Sequence, residues 1–504
     1  MLDALIRTIS PGWALSRKQS RMAEARLARI EAKYEGAKVT RRTRGWVAPN
    51  TSANVETRDD LERLRSRSRD LVRNNPYAAA GLSTLIGYQV GTGIVPQSRT
   101  GDVALDAHAN ALWEKWGAMA DAGQRHDIYG LMALAARTRS EAGEALIVMR
   151  PLSAAETRRR GSPVPLALHV LEPDHLDDTH NAPKTSSLVK GVELDAFGAP
   201  IAYRILPTHP GDQIIPVNPI TVPARFVLHI YRQTRPGQVR GVPDLAPVMT
   251  RLRFLDEYED AVFMQQLSQS VVAAFVTSSA EAGTGPLEAA PDGETPGVKQ
   301  LSPGMIERLL PGEGVEFLNP SGSGPFAEFA RHQLRAIATG YRLTYDLLTG
   351  DLSQANYSSL RAGRLAFKRQ LEQDQWLMLV PQMCGPIWQA FVSAAQAEGA
   401  LPLRAGPWPV EWAPPHFEMV DPLKDTMAIK EQLRLGLLTW GQAVAEMGWD
   451  PEKRAPRTAK GKKSRAAAGL ILAAPPRRTA GTGNAQNAAQ NAAVEIAATG
   501  AAKE

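Results

Sequence analysis

The sequence predicts a mixed α+β protein, mainly helical, and three observations carry that expectation. Apolar residues recur at helical spacing through 58–90, 102–121, 243–277, 325–345 and 358–398. Between these stretches, 164–232 switches to alternating and β-branched segments broken by Pro and Gly. A chain of 504 residues with 43% hydrophobic content has enough apolar side chain for real cores, and at roughly 150 residues each it should hold about three structural units.

Residues 1–57 read as a basic arm, with an Ala-, Arg-, Lys- and Glu-rich helix over 15–34 and then a loop. The start lacks an apolar core with a small-residue cleavage site, so no signal peptide is expected. Asp59 or Asp60 is placed to cap "LERLRSRSRDLVRNN", and a second helix restarts at Pro76. "GTGIVPQ" (91–97) is a turn into a short extended piece, and no GxxxxGK[ST] phosphate loop occurs. "DVALDAHANALWEKWGAMAD" sets Leu105, Ala109, Leu112 and Trp116 on one side. "DIYGLMALAARTRSEAGEALIVMRPL" runs a helix into a strand at 144–150, and "DAFGAP" has turn chemistry between two strands of a hairpin.

From Pro243 to Thr277 the stripe is Leu245, Met249, Leu252, Leu255, Val262 and Leu267. Residues 279–300 show no periodicity and read as a loop; "GVEFLNP" is a short strand signal. The helix at 325–345 carries Phe326, Phe329, Ala330, Leu334, Ile337 and Tyr341 on one face, with His332 on the polar side paired to Glu328. A third, long helix starts near Ser358 and is kinked or divided by Pro381 and Pro386. Asp421 and Pro422 open a last helical region, and beyond about Pro456 the composition is that of a disordered tail.

Several function classes find no support. The one cysteine, Cys384, excludes disulfide frameworks and Cys-based zinc sites within a subunit, and its apolar setting makes it a packing thiol. No run of about 18 apolar residues is present, so no membrane span is expected. A net charge of +6 permits nucleic-acid contact without requiring it. With no GxSxG, HExxH or paired-Cys spacing, no catalytic residues, cofactor or metal are expected. "LEPDHLDDTH" gathers Glu172, Asp174, His175, Asp177, Asp178 and His180; a polar loop is the first reading and a divalent-ion site the alternative.

"GDLSQANYSSLRAGRLAFKRQ" (350–370) poses a sharper problem. Arg361, Arg364 and Lys368 share one helix face, while Leu360, Phe367, Leu371 and Met378 form the apolar stripe. Arg364 and Lys368 repel by a few tenths of a kcal/mol. Arg361 in a first turn adds roughly 0.3–1 kcal/mol against the positive end of the helix dipole. Either this face is simply solvated, or an anion lies against it: a carboxylate of another subunit, or phosphate.

In order along the chain, "RSRDLVRNNPYAAAGLSTLIGYQVGTGIVP", "RSEAGEALIVMRP", "LHVLEPD", "GVELDAFGAPIAYRI", "RPGQVRGVPDLAPVMTRLRFLDEYEDA", "LLPGEGVEFLNP" and "LTGDLSQANYSSLRAGRLAFKRQLE" resemble the portal proteins of lambda-type tailed bacteriophages. The conjunction of seven segments, from about residue 58 to about 450, carries the resemblance. It implies a portal fold of wing, stem, clip and crown, assembled as a dodecameric ring at one capsid vertex of the virion after assembly in the host cytoplasm. Double-stranded DNA would pass through the channel on packaging and on ejection. Terminase and later head-tail connector proteins would dock, beside the major capsid or scaffolding protein, with no membrane partner and no enzymatic role.

By order, the resemblance places the wing at 58–242, the first stem helix at 243–277, the clip at 278–324 and the second stem helix at 325–345. The channel loop falls at 346–357, the kinked wing helix and connection at 358–414, a crown-like region at 415–454 and the tail at 455–504. The DNA-channel candidates are Ser353, Gln354, Asn356, Arg361, Arg364 and Lys368. Polar uncharged residues there would make weak, exchangeable contacts, and phosphate contacts carry no sequence preference. Asp256, Glu257, Glu259 and Asp260 form an acidic belt, either facing the lumen or pairing across subunits with Arg251 or Arg253. Two readings compete: a nuclease using the acidic run as its metal site, and a different structural ring of the head–tail junction.

Overall fold

The computed structural model describes residues 12–13, 16–22, 40–178, 188–212, 218–270, 274–278, 313–317, 326–353, 356–415, 417 and 421–447. The expected arm lies largely outside these residues, and the expected tail wholly so. The chain divides into two units, 1–55 and 56–504, with the division inside a short helix, α1 (Ala53–Arg58). In the first unit a turn at 40–45 is closed by the Arg44 N–H on the Thr40 carbonyl at 2.9 Å.

The second unit is mixed α+β and mainly helical. It opens with α2 (Leu61–Asn74) and α3 (Pro76–Gln89). Asp60 sits at the start of α2 without a side-chain cap bond, whereas the Asn75 side chain accepts from the Ala78 N–H to start α3. A strand, β1 (Val95–Ser98), precedes α4 (Val103–Gly117), whose cap is Asp102, accepting from Ala104 and Leu105 N–H. Then come α5 (Ile128–Ala142), β2 (Glu144–Pro151), α6 (Ala154–Arg160) and β3 (Leu166–Leu171). The β-rich part adds β4 (Leu188–Val189), β5 (Val192–Leu194), β6 (Pro200–Ile205), β7 (Ile220–Pro223) and β8 (Val227–Tyr231). The expected hairpin is present: β5 and β6 pair antiparallel, within a four-stranded sheet β4–β5–β6–β7.

The other main sheet has the order β3–β2–β8, antiparallel throughout. Its central strand shows why a period of two matters. Ala145, Ile147 and Met149 face a core built with Trp113, Trp116, Trp388 and Phe391. Leu146 and Val148 face the opposite way, into a smaller core with Val192, Tyr203 and Ile205. Gly143 and Gly241 let two backbones meet behind this sheet: a Cβ on Gly241 would lie 2.1 Å from the Gly143 carbonyl oxygen. Only glycine fits such an approach.

Downstream, α7 (Met249–Ser270) and α8 (Phe326–Gly340) are the two helices expected as a stem. Both are shorter than the sequence suggested. Residues 243–248 form turns, with the Ala246 N–H on the Pro243 carbonyl and the Val248 N–H on the Leu245 carbonyl. The run expected to end the first helix is instead a strand, β9 (Ala274–Ser278), paired antiparallel with β10 (Glu313–Phe317). Its Phe, Val and Thr favour an extended backbone. The strand signal in "GVEFLNP" is therefore one side of a ribbon as far as Phe317; the loop expected at 279–300 lies outside the described residues. His332 is exposed and makes no ion pair with Glu328.

After α9 (Tyr345–Thr349), the long helix runs as α10 (Tyr357–Asp374), a π-helical stretch Gln375–Cys384 and α11 (Gly385–Ala397). The expected division at Pro381 is a change of winding. Proline offers no N–H to an α-helical ladder, and the residues around it take the wider π register. Phe367, Leu371 and Met378 are buried, as the stripe implied, and Cys384 is fully buried with its thiol pushed up to about 12 by burial. β11 (Val410–Ala413) returns to pair with β1, and α12 (Pro422–Arg434) and α13 (Trp440–Glu446) end the described chain.

Candidate functional site at the stem and channel loop

The α7–α8 hairpin is anchored at one end and bare at the other. Leu252 and Leu255 of α7 and Leu334 and Ile337 of α8 are buried in a core shared with Leu82 of α3 and Phe367 of α10. Toward the C-terminal end of α7 this cover ends: Phe263 and Met264 are 63% and 60% exposed. Leu267 and Phe329, expected in the apolar stripes, are exposed too. The helices run antiparallel, because Arg251 donates to Gln333 at 2.9 Å while Tyr258 packs on Phe329 at 4.8 Å between ring centroids.

The acidic belt divides into separate roles. Asp256 accepts from the Asn75 amide at 2.7 Å and ties α7 to the start of α3. Glu257 pairs with Arg253 one turn back, at 2.8 Å. Burial, followed by the neighbouring charges of Asp256 and Asp260, raises the Glu259 carboxyl above its ordinary value.

The segment where the channel loop is expected is built around Asp351. It accepts from the Ser353 N–H at 2.9 Å and from the Tyr345 hydroxyl at 2.9 Å. Hydrogen bonds from Ser353 and Tyr345 hold its carboxyl at about 2. Gly350 ends α9 in the left-handed region, with φ 71°. Asn356 then opens α10 by a capping box with Ser359, its side chain accepting from the Ser359 N–H at 2.8 Å.

The six channel candidates are placed unevenly. Ser353 and Lys368 are exposed, Asn356 is occupied as a cap, and Gln354 lies outside the described residues. Arg361 is in the second turn rather than the first, since α10 starts at Tyr357, so the dipole penalty is smaller than the sequence suggested. Its anion is in its own chain: Arg361 donates to Asp425 of α12 at 2.9 Å. A carboxylate of its own chain thus lies against Arg361, where the sequence suggested a neighbour's carboxylate or phosphate. Arg364 donates to the Tyr88 hydroxyl at 3.2 Å, and Lys368 lies 3.8 Å from Glu372.

The acidic run 171–180 also has a cation, supplied by arginine. The Arg69 guanidinium lies 2.7 Å from Glu172 and 2.5 Å from Asp174, between the carboxylates that with His209 could otherwise hold a metal ion. Asp178 pairs with Arg240, and His175 binds the Leu206 carbonyl at 2.8 Å; His180 lies outside the described residues.

Two buried ion clusters were not foreseen. Glu144 accepts from Arg65, from Arg240 at 2.8 Å, from His229 at 2.8 Å and from the Gly241 N–H at 2.9 Å. Burial alone would raise its carboxyl; Arg240, Arg65 and His229 outweigh that and hold it well below the usual range. Burial lowers the His229 imidazole despite Glu144 beside it. Just ahead of α7, Arg232 bridges Asp244 at 2.9 Å and Asp374 at 2.6 Å, with Arg139 and Arg342 completing the cluster.

A sequence profile described as "Phage portal protein, lambda family" matches residues 39–375. The chain belongs to that family. The family is structural and not enzymatic. A "Probable portal protein" of Halomonas phage phiHAP-1 is 26% identical over 453 residues, covering 83% of this chain and 84% of its own. "Portal protein B" of Escherichia phage lambda is 20% identical, covering 85% and 88%. Among solved structures, a chain of the "Neck of native GTA particle computed with C12 symmetry" has 15% identity and a TM-score of 0.42, covering 78% of this chain and 94% of that one. Among the described residues no helix of this portal chain is long and apolar enough to cross a membrane.

Proposed function

We infer that this portal chain assembles as a homododecameric ring at one vertex of a phage capsid, and that double-stranded DNA passes through the ring on packaging and on ejection. Terminase docks on it during packaging and head-tail connector proteins later; the major capsid or scaffolding protein surrounds it. The ring forms in the host cytoplasm and stays in the virion.

Family membership supports this reading, and the stem is the observation that carries it. A two-helix hairpin leaves the wing core with large apolar side chains uncovered by its own chain, which is how a surface meant for a partner looks. In this reading the wing comprises 58–242 and 358–414, α7 and α8 are the stem, the β9–β10 ribbon belongs to the clip, 346–357 is the channel loop and 415–454 is crown-like. Lys368 and Ser353 stand nearest to the role of exchangeable phosphate contacts, sequence-independent and weakened by salt.

Native mass measurement on the purified chain tests the ring. The expected particle holds roughly twelve 54.6 kDa subunits around a central hole. Monomers or dimers under every assembly condition would refute it. Shortening 352–357 tests the loop: rings should persist while virion DNA content falls, and full DNA content would remove the loop from the channel.

A further inference from the structure

The two outer flanks of the stem hairpin carry opposite charge. We propose that copies of this chain join head to tail through them, the Arg331 and Arg335 flank of one copy lying against the Glu257 and Asp260 flank of the next. The proposal rests on the ring reading and names the surface that closes the ring.

The geometry comes from the hairpin's own contacts. The Arg251–Gln333 bond and the Tyr258–Phe329 packing fix which faces α7 and α8 turn toward each other. At about 100° per residue, Asp260 then stands on the side of α7 opposite α8, with Glu257 beside it. By the same count, Arg331 and Arg335 stand on the side of α8 opposite α7.

On α7, four carboxylates (Asp256, Glu257, Glu259, Asp260) crowd one stretch, and Arg253 is already bonded to Glu257. Among the described residues neither Glu259 nor Asp260 is in an ion pair, and neighbouring like charge contributes to the raised Glu259 carboxyl. On α8, neither Arg331 nor Arg335 is in an ion pair among the described residues; both border an open groove with Asp346 and Asp351 of their own chain, Arg331 helps to hold the Asp351 carboxyl down, and Arg335 lies over the Tyr345 ring at 5.7 Å. The acidic flank continues toward the clip into exposed Phe263, Met264 and Leu267, which gives the charge contact an apolar neighbour to exclude water.

Opposite signs on opposite flanks decide the symmetry. A two-fold dimer built on either flank would set like charge against like, at a cost of several kcal/mol. A head-to-tail contact sets unlike charge together at every joint, and a rotation that closes gives a ring.

Charge reversal in the full chain tests the contact, read by native mass measurement and mass photometry. Arg331→Glu with Arg335→Glu, and separately Glu257→Arg with Asp260→Arg, should each lower the ring fraction by about tenfold or more. The circular dichroism and melting of the subunit should change little, because Arg335, Glu257 and Asp260 are exposed, Arg331 is half-buried without an ion pair, and the Arg253–Glu257 pair is a surface one. Mixing the two reversed chains should restore rings, since an alternating ring pairs unlike charges at every joint. One chain carrying all four reversals should also assemble. Wild-type ring levels in either reversed chain would overturn the contact and assign the flanks to another partner. Loss in both, with no recovery in the mixture or the fourfold reversal, would overturn charge pairing. Failure of the unaltered chain to form rings would overturn the ring reading itself, a result distinct from the other two.

Discussion

In the wing, Glu144 collects donors from Arg65, Arg240, His229 and Gly241, all inside the protein. On the stem, Glu259 and Asp260 stand beside Asp256 without an ion pair among the described residues, and Arg331 and Arg335 are equally unpaired. The residue types are the same in both regions. The wing brings its charges together from distant stretches of one chain, so their pairing is part of folding. The α7–α8 hairpin pairs Arg253 with Glu257, but leaves Asp260 on one flank and Arg331 and Arg335 on the other without an ion pair among the described residues. A buried charge must be satisfied by its own fold, whereas an exposed one can wait for another molecule.

The strongest way to break this contrast is to remove the wing's central carboxylate. Glu144→Ala leaves Arg65 and Arg240 buried without their partner and should destabilise the subunit by about 3–5 kcal/mol. Urea unfolding measures this, and a loss below about 1 kcal/mol would return Glu144 to the class of surface ion pairs. Asp374→Asn, at the junction where Arg232, Arg342 and Gln89 converge, should cost about 1.5–3 kcal/mol by the same measurement, the range for hydrogen bonds to a charged group.

Acid should act on the wing by the same route. His229 is lowered in the folded state, so its stabilising effect is complete above the unfolded value of about 6.5 and is lost as pH falls from there toward its folded value. Glu144 is also lowered, so its contribution is complete above about 4.5 and disappears as pH falls through its folded value. Urea midpoints measured across pH should decline first below about 6.5 and again below about 4.5. His229→Gln should make the first decline shallower; an unchanged slope would mean that other groups set it.

Smaller effects belong to the surface. Arg361→Ala should cost no more than about 1 kcal/mol, because its bond to Asp425 is partly exposed. A double-mutant cycle with Asp425→Ala measures the pair, and a coupling near 3 kcal/mol would place it with the buried clusters. Smallest of all, the stem reversal Glu257→Arg with Asp260→Arg should leave monomer stability within about 0.5 kcal/mol, and a larger loss would show that these carboxylates serve the fold of their own subunit.

The parts of this molecule written locally could be read from the sequence. Asp421 caps the helix it was expected to open, and the β5–β6 hairpin sits where "DAFGAP" turns, although Asp60, also expected as a cap, makes no side-chain cap bond. The strand at Glu144–Pro151 and the buried faces of α4 and α8 followed from periodicity. What escaped depends on distant partners. Glu144 finds Arg65 and Arg240 79 and 96 residues away, and neither spacing nor composition links them. Arg361 showed its need for an anion through charge alone, but Asp425 lies 64 residues on, in a helix with no visible tie to it. The β9 strand was hidden because its apolar run continues a helical stripe, and its pairing with β10 decides the matter. A buried strand and a buried helix look alike over five residues.

The helix before the last, α12, has a consequence for local opening. α12 buries no residue of its own. The Arg361–Asp425 bond holds it to the long helix, and upstream Phe417 stacks on Tyr88 at 5.2 Å between ring centroids. Those ties are weak compared with the cores around β2. Amide exchange at 425–434 should therefore proceed through local detachment, while amides at 145–149 wait for the whole subunit to unfold. The region placed at the crown would then behave as a separately melting element, able to leave and re-dock while the wing stays intact.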